Sequence, residues 1–217
     1  MNANESARNI HAPLERIVDA AAKPCVRWVP QGVTPNQITW LNLAVGLAGG
    51  VCILFSNFSL HWLWAAALLI VLHAFLDSLD GALARQRQLT SPCGKMIDHL
   101  FDALAFLAYA VGLALSPIAT VSLALVIAIL VAFHDFLLMM WLALAGRWHT
   151  GVFGATELQF AFAILCIASW FFPTPVLSWH DAPFHLFDLA VIILGSFSVL
   201  DFFLSSRQLY MHLKDTE

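Results

Sequence analysis

Two pairs of aspartates lie close together in the chain, Asp77 with Asp80 and Asp98 with Asp102, at the end of one apolar run and the start of the next. Residues three or four apart share a face of a helix, so each pair would project from one side of its own helix. Two helices joined by the short link between the pairs could aim all four carboxylates into one space. An unpaired carboxylate in hydrocarbon costs roughly 3 kcal/mol, and a bound divalent metal is the simplest compensation. Oxygen-only ligands favour Mg²⁺ or Mn²⁺ over zinc.

The residues around these acids complete a longer pattern, D-x2-D-G-x2-A-R-x8-G-x3-D-x3-D, which resembles the signature of the CDP-alcohol phosphotransferase family. Its fixed positions are filled here by Asp77, Asp80, Gly81, Ala84, Arg85, Gly94, Asp98 and Asp102. A second feature is similar to what the same family carries: the first apolar run is preceded by T-P-N-x-I-T, from Thr34 to Thr39. The resemblance implies a membrane enzyme that uses a CDP-linked donor.

The resemblance also implies a role for each residue. Asp77, Asp80 and Asp98 would be metal ligands, and Asp102 would be a ligand or the general base. The residues implied at the nucleotide are Asn36, Thr39, Gly81, Ala84, Arg85 and Gly94. The residue types agree, because Gly81 and Ala84 lack bulk beside the helix and Arg85 can pair with a phosphate in a forked geometry.

The implied reaction is the attack of an alcohol hydroxyl on phosphorus, with release of CMP. Two divalent ions about 4 Å apart could bridge the diphosphate of the donor and stabilise the departing CMP. A base must lie within hydrogen-bond reach of the hydroxyl proton. Asp102 and His99 are the two candidates within the signature.

Composition indicates which elements carry these residues. The chain has 217 residues, of which 60% are hydrophobic and only 11% charged, as is typical of a polytopic membrane protein. No basic footprint for a nucleic acid is present. Six apolar runs come close to the length that crosses a bilayer: residues 38–55, 62–81, 97–115, 118–145, 156–172 and 185–204. We therefore predict an all-α bundle of six transmembrane helices.

The basic residues predict how this bundle is oriented. All ten Lys and Arg residues fall before the first run, between the second and third, after the fourth or after the sixth. The loops on the opposite side contain neither residue. Because Lys and Arg collect on the cytosolic side, both termini and the acidic signature are predicted there, in a bacterial inner membrane or an endomembrane.

The N-terminal stretch, residues 1–30, is predicted to be a separate amphipathic helix. Ile10, Leu14, Ile17 and Val18 recur at helical spacing, with charged residues between them. Two placements stay open: the membrane surface, or the cytosolic ends of the bundle. Residues 31–217 would then form the six-span catalytic domain.

Two local features favour one branch of the family, in which a CDP-aminoalcohol reacts with diacylglycerol. The segment from Asp98 to Asp102 reads D-H-x-x-D, which resembles eukaryotic choline and ethanolamine phosphotransferases, where the histidine is taken as the base. Thr156 to Gln159 reads T-E-L-Q and resembles a T-E-[VIL]-Q motif of the same enzymes. CDP-ethanolamine or CDP-choline is therefore the predicted donor.

Charge provides a separate argument about the acceptor. Its candidate contacts are Glu157, Gln159 and Arg147. An anionic acceptor would call for several converging basic groups, and outside the signature the chain offers mainly Arg147, so neutral diacylglycerol fits better. A phosphatidyltransferase that uses CDP-diacylglycerol and a small polar alcohol stays open, and a cation transporter is a distant alternative. The resemblance also implies a homodimer among membrane lipids.

Overall fold

The structure, a computed structural model, describes residues 13–146, 154–179 and 182–214, except the side chains of Asp135 and Trp179. Seven α-helices and one hairpin lie in these ranges. The helices are α1 Pro13–Cys25, α2 Pro35–Phe55, α3 Trp62–Gln86, α4 Pro92–Ala114, α5 Val121–Ala145, α6 Ala155–Phe171 and α7 Leu186–Lys214. A short 3₁₀ turn, Val26–Trp28, follows α1, and strands β1 Leu177–Trp179 and β2 Ala182–Phe184 pair antiparallel before α7. The predicted all-α membrane bundle is confirmed, with the hairpin as an addition.

Five of the described helices are long and apolar enough to cross a membrane: α2, α3, α4, α5 and α7. Helix α6, with 17 residues, is shorter. The count of six spans therefore stays a prediction. Helix α3 extends five residues beyond the predicted span, to Gln86, and α4 starts five residues earlier, at Pro92. The predicted spans followed hydropathy alone, whereas helical hydrogen bonding continues through the polar ends that carry the signature.

Helices α2 to α7 form a closed ring. The principal packing contacts run from α2 to α4, α5, α7, α6, α3 and back to α2. Helix α2 therefore packs against both helices that carry the acidic signature. A capping box, in which Thr34 and Gln37 exchange side-chain to backbone hydrogen bonds, fixes the start of α2 at Pro35.

Helices α2 and α4 approach each other through glycines. A Cβ atom added at Gly50 would lie 2.6 Å from the carbonyl oxygen of Ala108, and one added at Gly112 would lie 2.5 Å from the carbonyl oxygen of Gly50. Only the absence of side chains permits this backbone contact, which is the small-residue packing typical of membrane helices. Ile53 and Tyr109 fill the space beside it and are fully buried.

The N-terminal helix packs against the bundle, and its position relative to the membrane surface stays a prediction. Val18 and Ala22 are buried against α3, while Ile17 is 63% exposed. Glu15 and Asp19 are also buried, although their charge suggested the outer face. The predicted start at Ile10 lies outside the described residues.

Two polar clamps fix the ends of the ring. At one end, the Arg87 guanidinium donates hydrogen bonds to the carbonyl oxygens of Val33 (2.6 Å), Val29 (2.8 Å) and Pro30 (3.1 Å), which anchors the link between α1 and α2. At the other end, fully buried Asp188 accepts hydrogen bonds from the backbone of Thr120 and of His185, both at 2.8 Å. These contacts tie the start of α5 to the start of α7.

Candidate active site

Three aspartates from two helices form the centre of the site. Asp77 on α3 meets Asp98 and Asp102 on α4, and one oxygen from each lies within 4.8 Å of the others. All three are half-buried, where carboxylates this close repel one another unless a cation neutralises them. An all-oxygen donor set of this kind fits Mg²⁺ or Mn²⁺. The sequence prediction that the two helices aim their acids at one space is thus matched for these three side chains.

Asp80, the fourth predicted ligand, stands one turn from Asp77 and outside this trio. Its side chain is buried, and its Oδ2 has no hydrogen-bond partner among the described residues. The side chain of Thr39, at the start of α2, lies within hydrogen-bonding reach of the Asp80 carboxylate. A buried oxygen without a partner is costly, so Asp80 is suited to receive a cation or a donor group of a ligand.

The starts of α2 and α4 meet at Gly94. Ser91 caps α4 by accepting a hydrogen bond of 3.0 Å from the Gly94 amide. A Cβ atom at Gly94 would lie 3.5 Å from the side-chain oxygen of Asn36. Asn36 and Gly94, both predicted at the nucleotide, are therefore neighbours in space at the end of the bundle that carries the acids.

Arg85 lies on the same helix face as Gly81. A Cβ atom at Gly81 would come within 3.2 Å of Arg85 Nη1, so the glycine leaves room for the guanidinium along the helix. Arg85 Nη2 lies 3.6 Å from Asp19 Oδ2 of α1, and its side chain remains 43% exposed. The arginine can therefore still reach a phosphate at the surface of the bundle. Ala84, which is also predicted at the nucleotide, is half-buried next to Arg85 in the chain.

A cavity of about 280 Å³ opens beside the trio, inside the ring of helices. Asp77, Asp98, His99 and Asp102 line one part of it, and Glu15 of α1 is among its lining residues. The rest of the wall is mostly apolar and comes from α4, α5, α6 and α7, with Phe106, Ile127, Leu130, Phe162, Phe187 and Val191 among its residues. No Lys or Arg of the described ranges lines it. The acids thus border a space suited to an uncharged, apolar molecule.

The three residues predicted for the acceptor have different positions. Glu157 lines the cavity, and its Oε1 accepts hydrogen bonds from the backbone amides of Leu14 (2.9 Å) and Glu15 (3.4 Å), so it caps α1. Gln159 is only 2% exposed and faces α3, where its Nε2 lies 2.7 Å from His73 Nδ1. Arg147 lies outside the described residues.

Sequence reasoning did not connect two histidines to the site. His73 lies one turn before Asp77 and is fully buried, with Nε2 3.6 Å from Asp102 Oδ1. His134 of α5 lines the cavity, and its Nε2 lies 3.8 Å from Asp201 of α7. The spacing of His73 from Asp77 was an available signal, because residues four apart share a helix face.

Comparison with known proteins decides the family. The family model for CDP-alcohol phosphatidyltransferase matches residues 32–200. The chain belongs to the CDP-alcohol phosphatidyltransferase family. Every residue of the acidic signature and most of the ring of helices lie within the matched range, so the recognition made from the motif is confirmed.

Relatives of the chain within the CDP-alcohol phosphatidyltransferase family come from both branches. It is 26% identical over 208 residues to cholinephosphotransferase 1 of Rattus norvegicus, covering 87% of this chain and 48% of that protein. It is 36% identical over 83 residues to phosphatidylinositol phosphate synthase of Cutibacterium acnes, covering 38% of each. The chain spans less than half the length of both of these relatives.

The crystal structure of Mycobacterium tuberculosis phosphatidylinositol phosphate synthase with CDP-DAG bound has the same fold. Its TM-score is 0.62 at 20% identity, and the match covers 90% of this chain and 94% of that one. The ring of helices is therefore an architecture found in the CDP-alcohol phosphatidyltransferase family.

Proposed function

We propose that the chain is an integral membrane transferase of phospholipid synthesis, which moves a substituted phosphoryl group from CDP-ethanolamine or CDP-choline to diacylglycerol and releases CMP. The observation that carries this proposal is the position of the aspartate trio at the edge of a largely apolar cavity. Acids suited to a divalent ion serve a diphosphate, and an apolar wall serves a lipid acceptor. The resemblance of the D-H-x-x-D segment to choline and ethanolamine phosphotransferases supports the choice of donor.

Asp77, Asp98 and Asp102 would hold a divalent cation, and Asp80 would join them as the buried fourth acid. A bound Mg²⁺ or Mn²⁺ would supply charge neutralisation for the diphosphate and for the departing phosphate of CMP. Family resemblance implies two ions; the donor set supports at least one. Arg85 would bind a donor phosphate, and Asn36, Thr39, Gly81, Ala84 and Gly94 would surround the nucleotide.

The proton of the attacking hydroxyl is taken by a residue that lines the cavity. The new bond joins the acceptor oxygen to phosphorus, and the bond between phosphorus and the CMP oxygen breaks. His99 and Asp102 both line the cavity and so can both reach a hydroxyl there. We favour His99, because Asp102 is committed to the trio. Glu157 and the adjacent α6 residues border the space where the acceptor would bind.

The cavity also bears on the charge of the acceptor. An anionic alcohol would require cationic partners, and within the described ranges the cavity wall contains only neutral, acidic and histidine side chains. Diacylglycerol needs none, and its tails could enter between helices from the bilayer.

The test uses the purified full chain in liposomes that contain diacylglycerol and Mg²⁺. Labelled CDP-choline and CDP-ethanolamine are supplied separately, and labelled lipid and CMP are measured, with Asp98→Asn as the matched control. We expect lipid product from one CDP-aminoalcohol, and its loss when a chelator removes Mg²⁺. No lipid from either donor would reject the proposed branch.

A second candidate is a phosphatidyltransferase that joins CDP-diacylglycerol to a small polar alcohol. It is favoured by the fold shared with a synthase that has CDP-DAG bound and by the relative named phosphatidylinositol phosphate synthase. The same liposomes, given CDP-diacylglycerol and inositol phosphate, glycerol phosphate or serine, separate the two. Product from this arm alone would establish the second candidate.

We further propose that both termini and the site face the cytosol and that the chain forms a homodimer, as the family resemblance implies. The basic residues that the structure describes at the site end support this orientation. Exposed Cys93, beside the site at the start of α4, should react with a membrane-impermeant maleimide only from the cytosolic side. Labelling from the opposite side would reject the orientation, and a monomeric mass in detergent would reject the dimer.

A further inference from the structure

His73 is the residue near the trio for which the reaction has no assigned use. It is fully buried on α3, and its Nε2 has no hydrogen-bond partner among the described residues. That atom faces Asp102, at 3.6 Å from Oδ1. On its other side, Nδ1 lies 2.7 Å from Nε2 of Gln159 on α6. One imidazole ring therefore bridges an amide and a member of the acidic trio, between three different helices.

The amide contact determines which ring nitrogen carries the proton. In this amide orientation Nε2 of Gln159 faces the ring, and because an amide nitrogen is only a donor, Gln159 donates and Nδ1 accepts. A neutral imidazole then carries its hydrogen on Nε2, the nitrogen that faces Asp102. The pair therefore presents a hydrogen-bond donor to a carboxylate.

The ring has little freedom to turn away. A Cβ atom added at Gly46 of α2 would lie 2.8 Å from His73 Cδ2, so the ring fills the space that the glycine leaves. Tyr109 of α4 packs edge-on against it, with ring centroids 6.1 Å apart. Gln159 is only 2% exposed, so its amide is largely shielded from water. Packing and the amide thus hold the imidazole in one orientation.

We propose that His73 and Gln159 are a positioning pair, which orients the Asp102 carboxylate for cation binding. The inference rests on the proposed function, because it assigns Asp102 to a cation. A short closing movement would convert the 3.6 Å approach into a hydrogen bond to one carboxylate oxygen, and that bond would restrict rotation of the group. Hydrogen-bonding partners behind metal ligands typically change metal affinity or activity by roughly 10- to 100-fold when they are lost. Gln159 is assigned here to Asp102 rather than to the acceptor.

The first test measures Mn²⁺ binding to the full chain in detergent by electron paramagnetic resonance of free Mn²⁺, with no substrate. Gln159→Met keeps the volume but removes the amide, and His73→Met removes the donor; each should weaken Mn²⁺ binding roughly 10- to 100-fold. His73→Gln retains an N–H donor and should bind more tightly than His73→Met. Cys166→Ala, a buried change further along α6, should bind as the parent does. Parent-like binding by both Met variants would overturn the proposal.

The second test does not need metal and reports the tautomer. It records ¹⁵N NMR spectra of protein with ¹⁵N-labelled histidine. The ring signals that the parent shows and His73→Gln lacks are those of His73. The parent should show the proton on Nε2, and Gln159→Met should move or broaden those signals, while Cys166→Ala should not. A proton on Nδ1 in the parent would overturn the pairing. Failure to make lipid, combined with the expected Mn²⁺ affinities and tautomer, would count against the proposed reaction and leave the positioning pair supported.

Discussion

Replacing Gly112 by alanine should disturb the acidic site, although the two are far apart. The added methyl carbon would lie 2.5 Å from the carbonyl oxygen of Gly50 and 3.1 Å from Ile53 Cβ. It would have to move about 0.9 Å to reach the 3.4 Å of ordinary contact. Backbone cannot rotate aside as a side chain does, so α2 and α4 must separate by a comparable distance.

The size of the effect follows from this displacement. Overpacking a close contact typically costs about 1–3 kcal/mol of stability. Gly112 and Asp102 are ten residues apart on α4, or about 15 Å along the helix. A shift of α4 relative to α2 would still move the aspartates, because a helix moves as a rigid element. Misplacement of about 1 Å can cost 10²-fold in rate, and we expect a loss of at least tenfold.

The assay compares CMP release and the thermal unfolding midpoint in detergent. Gly32→Ala is the matched control, because a Cβ atom there would meet nothing within 4 Å. If Gly112→Ala retained the midpoint and turnover of Gly32→Ala, the close backbone approach of α2 and α4 would be refuted.

The remaining predictions concern the signature and one clamp. Asp80→Asn should abolish CMP release while membrane insertion is retained, because a neutral amide cannot replace a charged ligand; retained turnover would remove Asp80 from the ligand set. His99→Ala should lower turnover by about 10²–10⁴-fold with Mn²⁺ binding unchanged if His99 is the base. An active His99→Ala beside an inactive Asp102→Asn would move the base to Asp102. Arg87→Ala should cost roughly 1.5–3 kcal/mol, seen as a lower unfolding midpoint, and Arg87→Lys should recover only part of it because an ammonium lacks the forked donors. Equal midpoints for Arg87→Ala and the parent would contradict the clamp.

Sequence patterns predicted correctly which residues meet when those residues are close in the chain. Asp77, Asp98 and Asp102 could be brought together from helical spacing and a short link, because both pairs flank one turn between spans. The all-α membrane bundle followed from hydropathy, whereas the order in which its helices pack did not. The exact ends of α3 and α4 did not, because hydropathy reports the bilayer and helix ends depend on caps such as that of Ser91.

Contacts between residues far apart in the chain could not be predicted from sequence patterns. Gln159 and His73 are 86 positions apart, and no periodicity indicates that one bonds the other. Asp188, 68 positions from Thr120, holds two helix starts together, and nothing in its sequence spacing indicates that contact. Glu157, a candidate acceptor contact, lines the cavity and also caps α1, which is 142 and 143 positions away at its bonded residues. In each case the residue type signalled a partner, and only packing of the ring determined which one.

The elements around the site are held by different kinds of contact. Helix α4, which carries Asp98 and Asp102, meets α2 through glycine backbone at Gly50 and Gly112, about 15 Å along the helix from Asp102, and this contact leaves no room for adjustment. Helix α1 is held to the bundle by apolar packing together with the polar contacts of Glu157 and Asp19, and such polar contacts can exchange with water. A diphosphate needs fixed ligands, whereas a lipid must enter and its product must leave. The helix that carries two members of the trio is therefore held rigidly, whereas α1, which contributes Glu15 to the cavity wall, is held by contacts that can adjust.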